Sequence, residues 1–202
     1  MKGAIEMTMD KKQVNKEIII ETALRLIDEK QGIKEVTLRD IAKEIGCAHT
    51  NLYNYFGSLD EIFWESLSAL LSRMMEYSSL GDSEEQQGEN KIYLTISKVI
   101  DFFMEHPGWY RFMWFDSLGG RPSQELARSI HRPGEGFVTI VKMANSEIDD
   151  EKAKQVANIL HSYFHGEFCK WINNRGLVEG DKEGTKAMIL SNVKTLYKLL
   201  IQ

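Results

Sequence analysis

The first 106 residues contain no proline, and along them apolar side chains return at intervals of three and four. A chain patterned this way packs helix on helix, because strands call for alternation or for short β-branched runs bounded by turn residues. Two further prolines follow Pro107, at Pro122 and Pro133. The 202 residues are 43% apolar and 27% charged, a composition that supports a core without disulfides and excludes a disordered or collagen-like chain. The predicted fold class is all-α.

The spacing predicts a first helix over about 11–30, with Ile19, Ala23, Leu26 and Ile27 on one face, Ile20 and Leu24 widening it, and Gly32 just past its end. Thr37 can cap a second helix whose apolar residues Leu38, Ile41, Ala42 and Ile45 fall at i, i+3, i+4 and i+7 before Gly46 stops it. Another short helix is expected from Ala48 to Tyr55, with Leu52 and Phe56 turned inward. Two short helices around a tight glycine turn read as helix-turn-helix. Ser58 and Glu61 then form a capping-box pattern for a long helix through about Ser79.

Residues 81–90 read as a loop. Ile92, Ile96, Val99 and Phe103 make a helical stripe ending at His106-Pro107-Gly108, and an aromatic run from Trp109 to Phe115 follows. A helical region over 123–145 should be kinked or split near Pro133-Gly134. Two long helices are expected over 150–173 and 182–201, joined by a loop over 174–181. Val156, Leu160 and Phe168 on the first, with Ile189, Val193, Leu196 and Leu200 on the second, have the spacing of a packing seam.

Several functions lack their residues. No apolar run exceeds four residues, so neither a membrane span nor a signal peptide is expected, and the reading is cytoplasmic. Cys47 and Cys169 form no CxxC pair. The nucleophile-elbow, phosphate-loop, dinucleotide and HExxH motifs are all missing, so no enzyme, catalytic residue or cofactor is expected. His161, His165 and Cys169 fall at i, i+4 and i+8 and could offer metal ligands, but packing in the seam is the preferred reading and no metal is expected. The net charge of −5 argues against a general coat for nucleic acid. Residues 1–60 carry nine Lys and Arg against ten Asp and Glu, so DNA binding there must come from local placement.

The run Thr37-Leu38-Arg39-Asp40-Ile41-Ala42, then Leu52-Tyr53-x-Tyr55-Phe56 and Ser58-x-x-Glu61, resembles the TetR family of transcriptional regulators over about residues 15–64. His106-Pro107-x-x-Tyr110-x-x-Met113-x-Phe115 and His165-Gly166 are similar to patterns in one group of that family's C-terminal domains. The resemblance implies a helix-turn-helix DNA-binding domain over 1–57 and a helical ligand-binding and dimerisation domain over 58–202. It also implies a homodimer on double-stranded operator DNA, released by a small-molecule effector. Four positions depart from the family pattern: Ala48 and His49 replace a hydroxyl residue and a lysine, Thr50 replaces a Gly or Ala, and Leu59 replaces a phosphate-binding lysine.

A recognition helix presents short hydrogen-bonding groups to base edges while other polar groups hold phosphates. His49, Thr50 and Asn51 are the candidates for the groove. Tyr53, Asn54 and Tyr55 are candidates for mixed base and phosphate contacts, with packing an open alternative for Tyr53. Thr37 caps a helix whose N-terminus can meet a phosphate. For an apolar or aromatic ligand the candidates are Phe102, Phe103, Trp109, Phe112, Met113, Tyr163 and Phe164. The dimer interface is assigned to Val156, Leu160, Phe168, Ile189, Val193, Leu196 and Leu200. A second possibility is a DNA-bound regulator governed by a protein partner, with no small-molecule pocket.

Overall fold

The computed structural model describes residues 14–80, 87–176 and 181–202, and among them there is no strand. Eight α-helices and one 3₁₀ helix follow one another: α1 (Lys16–Glu29), α2 (Leu38–Ile45), the 3₁₀ helix (His49–Asn54), α3 (Leu59–Ser79), α4 (Glu89–Glu105), α5 (Pro107–Trp114), α6 (Gln124–Ala144), α7 (Asp150–Ile172) and α8 (Lys182–Leu200).

Most starts are written locally. Asn15, Ser58, Ser123, Asp149 and Asp181 each accept a backbone N–H three residues on, so orphan donors of the first turn are satisfied by side chains. Thr37 and Asp40 make a full capping box on α2, and Gly46 ends that helix at φ 81°, a left-handed conformation that suits glycine.

Four boundaries differ from the sequence reading. The first helix starts at Lys16, where Asn15 caps it, and residues 11–13 lie outside the described part. The second helix of the helix-turn-helix is a 3₁₀ helix, six residues with no side-chain cap at Ala48, too short to set up a regular α-ladder. Glu61 does not close a box on Ser58; its Oε2 accepts the Gly57 N–H at 2.6 Å instead. The region over 124–144 is one unbroken helix. Pro133 removes a single ladder bond, and packing on both sides, with Leu126 and Val141 buried, carries the helix through it. Of the two loops expected over 81–90 and 174–181, residues 81–86 and 177–180 lie outside the described part, and α4 takes in the end of the first.

One continuous core runs from Ile19, Ile27, Ile41 and Leu52 through Ile62 and Leu70 on α3 to Leu160, Ile189 and Val193. The helix-turn-helix therefore has no separate interior. α1 packs on α3 and α5, and Gly108 makes the α1–α5 approach possible: a Cβ there would stand 2.5 Å from the backbone of Asp28.

Candidate DNA-reading surface and ligand cavity

Leu52 and Phe56 are buried and pin the 3₁₀ helix to the core, which leaves its polar residues on the outside. His49, Thr50, Asn51, Tyr53 and Asn54 are all exposed, and Tyr53 is 54% exposed, so it does not pack. Tyr55 is different. It is half-buried and its hydroxyl donates to the Val14 carbonyl at 2.7 Å, which fixes the start of α1 against the 3₁₀ helix and uses the proton a phosphate would need. Thr37 is exposed, but its hydroxyl proton is already engaged: the hydroxyl accepts the Asp40 N–H at 3.2 Å and donates to Asp40 Oδ2 at 2.7 Å. That hydroxyl and then the Lys30 ammonium hold the Asp40 carboxyl below its ordinary range.

The positive charges available to phosphates went unassigned in the sequence. Arg39 and Lys43 are exposed on α2, four residues apart and so on one face, and Lys16 lies over the Phe56 ring at 5.0 Å. Arg25 is tied to Glu29 and Glu44 at 2.7 and 2.6 Å. In a segment of near-zero net charge only the tertiary arrangement separates free cations from paired ones.

Between α3, α4, α5, α6 and α7 lies a cavity of about 690 Å³, within the range of sites for drug-sized molecules. Of the residues assigned to it, Phe103, Met113 and Phe164 line it. Phe102, Trp109, Phe112 and Tyr163 do not. Phe102 and Trp109 pack on each other with ring centres 5.5 Å apart, and the Trp109 indole donates to the Leu24 carbonyl at 2.7 Å, towards α1. Phe112 sets its ring edge on Phe63 at 6.3 Å, and Tyr163 turns to α8, where Asn192 donates to its hydroxyl. The run covers the whole circumference of α5, and only the Tyr110, Met113 and Trp114 side meets the cavity. A stripe on α7, Lys154, Ala157, Asn158, His161, His165 and Phe168, supplies a long wall, of which the sequence reading places His161, His165 and Phe168 in a seam.

His161 and His165 therefore belong to the cavity wall. The Tyr110 hydroxyl meets His165 Nδ1 at 2.6 Å, and the two imidazoles stack with centres 5.9 Å apart. Burial lowers both histidine pKa values, the second imidazole adding to the effect at His161, and burial raises that of Tyr110, so all three stand neutral. Among the described residues no group of three His, Cys, Asp or Glu side chains could hold a metal ion.

The dimer assignment needs correction. Val156, Leu160, Phe168, Ile189 and Val193 are buried within the single chain, at 2% exposure or less, and have no surface to offer a partner. α7 and α8 pack on each other inside the single chain, and Phe168 lines the cavity against Tyr110. Leu196 and Leu200 are half-buried, and the large apolar side chains left in the open on α8 are Met188 and Leu199.

α5 joins the two regions. No side chain of its own caps its start; Asp28 on α1 does so from outside, taking the Gly108 N–H on Oδ1 at 3.0 Å and His106 Nδ1 on Oδ2 at 2.7 Å. Just past its end, Asp116 Oδ2 accepts the Ile33 N–H at 2.9 Å. Further along, Trp64 donates to the Gly119 carbonyl and Asp60 accepts the Gly119 N–H. One face of α5 thus lines the cavity while its ends are fastened to α1 and the segment after it.

Residues 19–65 match the family model described as bacterial regulatory proteins, tetR family. Curated relatives include the nucleoid occlusion factor SlmA of Haemophilus influenzae, 21% identical over 76% of this chain and 73% of its own. The same-named factor of Haemophilus ducreyi is 24% identical over 82% and 86%. Among solved structures, a Rhodococcus sp. RHA1 protein of unknown function superposes with a TM-score of 0.76 at 15% identity, covering 95% of this chain and 98% of that one. A TetR variant of Acinetobacter baumannii AYE in complex with minocycline gives 0.65 at 16% identity, covering 92% and 96%. Among the described residues no helix is long and apolar enough to cross a membrane.

Proposed function

Through its N-terminal domain the chain belongs to the TetR family of bacterial regulatory proteins, and on that premise we propose that it is a ligand-released repressor working as a homodimer in the cytoplasm. As a member it is a DNA-binding transcriptional regulator. In this reading residues 1–57 hold the operator and residues 58–202 bind the effector and the second copy. His49, Thr50, Asn51, Tyr53 and Asn54 face base edges and nearby phosphates, and Arg39, Lys43 and Lys16 add backbone contacts. Tyr55 acts through position, holding the head to α1.

Two copies read successive major-groove faces only if their heads stand about 34 to 36 Å apart or at a multiple of it, so the operator is a near-palindrome. The observation that carries ligand control is the double attachment of α5. A molecule pressing on Tyr110 or Met113 moves the same eight-residue helix that Asp28 and Asp116 tie to the DNA-binding part. Effector and operator then oppose one another by linkage. The copies join through the outer side of α8, where Met188 and Leu199 are exposed beside Leu196 and Leu200.

Selection of bound sequences from a random duplex pool tests the reading. An enriched inverted repeat supports the dimeric regulator; binding without a motif, lost as salt rises, defeats it. The names of the curated relatives favour a second reading, a DNA-bound factor of the nucleoid that acts through a protein partner. An operator complex that no compound filling the cavity can dissociate would move the balance to it.

A further inference from the structure

The wall that α7 gives the cavity is unlike those of α3 and α4. These present Leu67, Leu71, Ile96 and Ile100, all apolar, whereas α7 presents Asn158, His161 and His165, three and four residues apart and so on one face. The two histidines differ in what they bond. The Tyr110 hydroxyl lies 2.6 Å from His165 Nδ1, which holds that imidazole in place. Among the described residues His161 makes no hydrogen bond; it has ring neighbours instead, Trp114 at 5.5 Å, Phe164 at 5.1 Å and His165 parallel to it at 5.9 Å. Trp114 also stands 4.5 Å from His165 and is 42% exposed, so it flanks both imidazoles at the mouth of the cavity. Lys154 belongs to the same stripe, but it lies seven residues from His161, about 10 Å of helix at a rise of roughly 1.5 Å per residue. It is also already bonded to Glu151 at 2.7 Å.

A neutral imidazole carries one donor and one acceptor. A hydrocarbon filling the cavity would strip water from the His161 nitrogens and give them nothing in return. A carboxylate takes the donor alone, and it sets a charge beside two imidazoles that burial keeps unprotonated. A hydroxyl both donates and accepts, so it meets His161 in either tautomer. The rings around that imidazole favour an aromatic body over a saturated one, because ring edges and faces attract each other beyond what burial alone supplies. We propose that the cavity binds an uncharged phenol, its hydroxyl bonded to His161, its ring beside Trp114 and Phe164, and its far edge on the apolar walls of α3 and α4. This rests on the ligand-released reading above and names the chemistry of its effector. A phenol held there lies against Trp114, the last residue of α5, and so presses on that helix from inside.

Equilibrium dialysis of the full chain at about pH 7.5 compares probes of one skeleton: 2-naphthol, naphthalene, 2-naphthoate and the saturated decahydro-2-naphthol. 2-Naphthol is expected to bind most tightly, with naphthalene and decahydro-2-naphthol at least about threefold weaker and naphthoate at least about tenfold weaker. His161→Phe keeps a ring and removes both nitrogens, so 2-naphthol should fall to the affinity of naphthalene, and naphthalene should bind as it does to the parent. Circular dichroism checks the fold of the variant. Nitrogen NMR of the parent needs no variant: 2-naphthol should shift the His161 imidazole resonances, and naphthalene should shift them far less. Equal or tighter binding of any of the other probes, a His161→Phe protein indistinguishable from the parent, or His161 nitrogens unmoved at saturation would overturn the assignment. Operator release separates the two readings. Release by another compound in the absence of 2-naphthol binding sinks this inference alone, whereas 2-naphthol bound at His161 with the operator retained sinks the ligand-released repressor and leaves the site.

Discussion

The reading head and the cavity are built by opposite means. In the head, two buried anchors, Leu52 and Phe56, expose a row of polar side chains, and neighbours in sequence do one job. The cavity gathers five helices, and adjacent residues part company: Phe103 lines it while Phe102 turns to Trp109 and the DNA-binding part. The head is local and its chemistry can be read along the chain. The cavity is a product of packing, and α5 is where one construction meets the other.

Substitutions should separate them. The largest effect is expected from Gly108→Val, because the new Cβ would meet the Asp28 backbone, which cannot swing aside; a loss of about 3 kcal/mol or more in denaturant unfolding is expected. A Gly108→Val protein of parental stability would mean that α1 and α5 are not in fixed contact. Leu52→Ala should cost about 2 to 5 kcal/mol of stability and loosen the head with it. Asn51→Ala, one residue away, should leave stability within about 0.5 kcal/mol and weaken operator binding by about 1 to 3 kcal/mol. If Asn51→Ala unfolds the chain, or binds DNA like the parent, the head is not the surface described.

The cavity also has a pH signature. Burial keeps His161 and His165 from taking up protons that the unfolded chain accepts near the ordinary value of 6.5. Their contribution is fully present above that value and is lost as pH falls below it towards their lowered folded pKa values. The melting temperature should drop on going from about pH 7.5 to about pH 5.5, and a His161→Asn, His165→Asn variant should show a flatter profile. Identical slopes in parent and variant would place the imidazoles in water. The smallest effect is expected from Tyr53→Phe, within about 0.5 kcal/mol of stability, because the ring already stands in solvent.

The same contrast governs how much the sequence disclosed. Helix order, the Thr37 cap and the Gly46 stop were legible because each depends on residues three or four positions apart. The inward turn of Leu52 and Phe56 followed from the same spacing. Periodicity marks which face of a helix is buried but not what covers it. Val156 and Leu160 were given to a second copy, although both are buried within the single chain. His161 and His165 were lost for the same reason, placed in a seam when they border a hollow. Pro133 was read as a break because its cost is local and the packing that offsets it is not.

The cap that Asp28 gives to α5 has a consequence for how the molecule opens. Eight residues are too few for a helix to stand alone in water, and this one starts without a partner of its own. α5 therefore depends on its neighbours for order, and because α1 supplies its cap the two should exchange their amide hydrogens as one cooperative unit. The boundary the molecule obeys when it loosens then lies around that pair of helices, and residue 57 falls inside the unit they hold together.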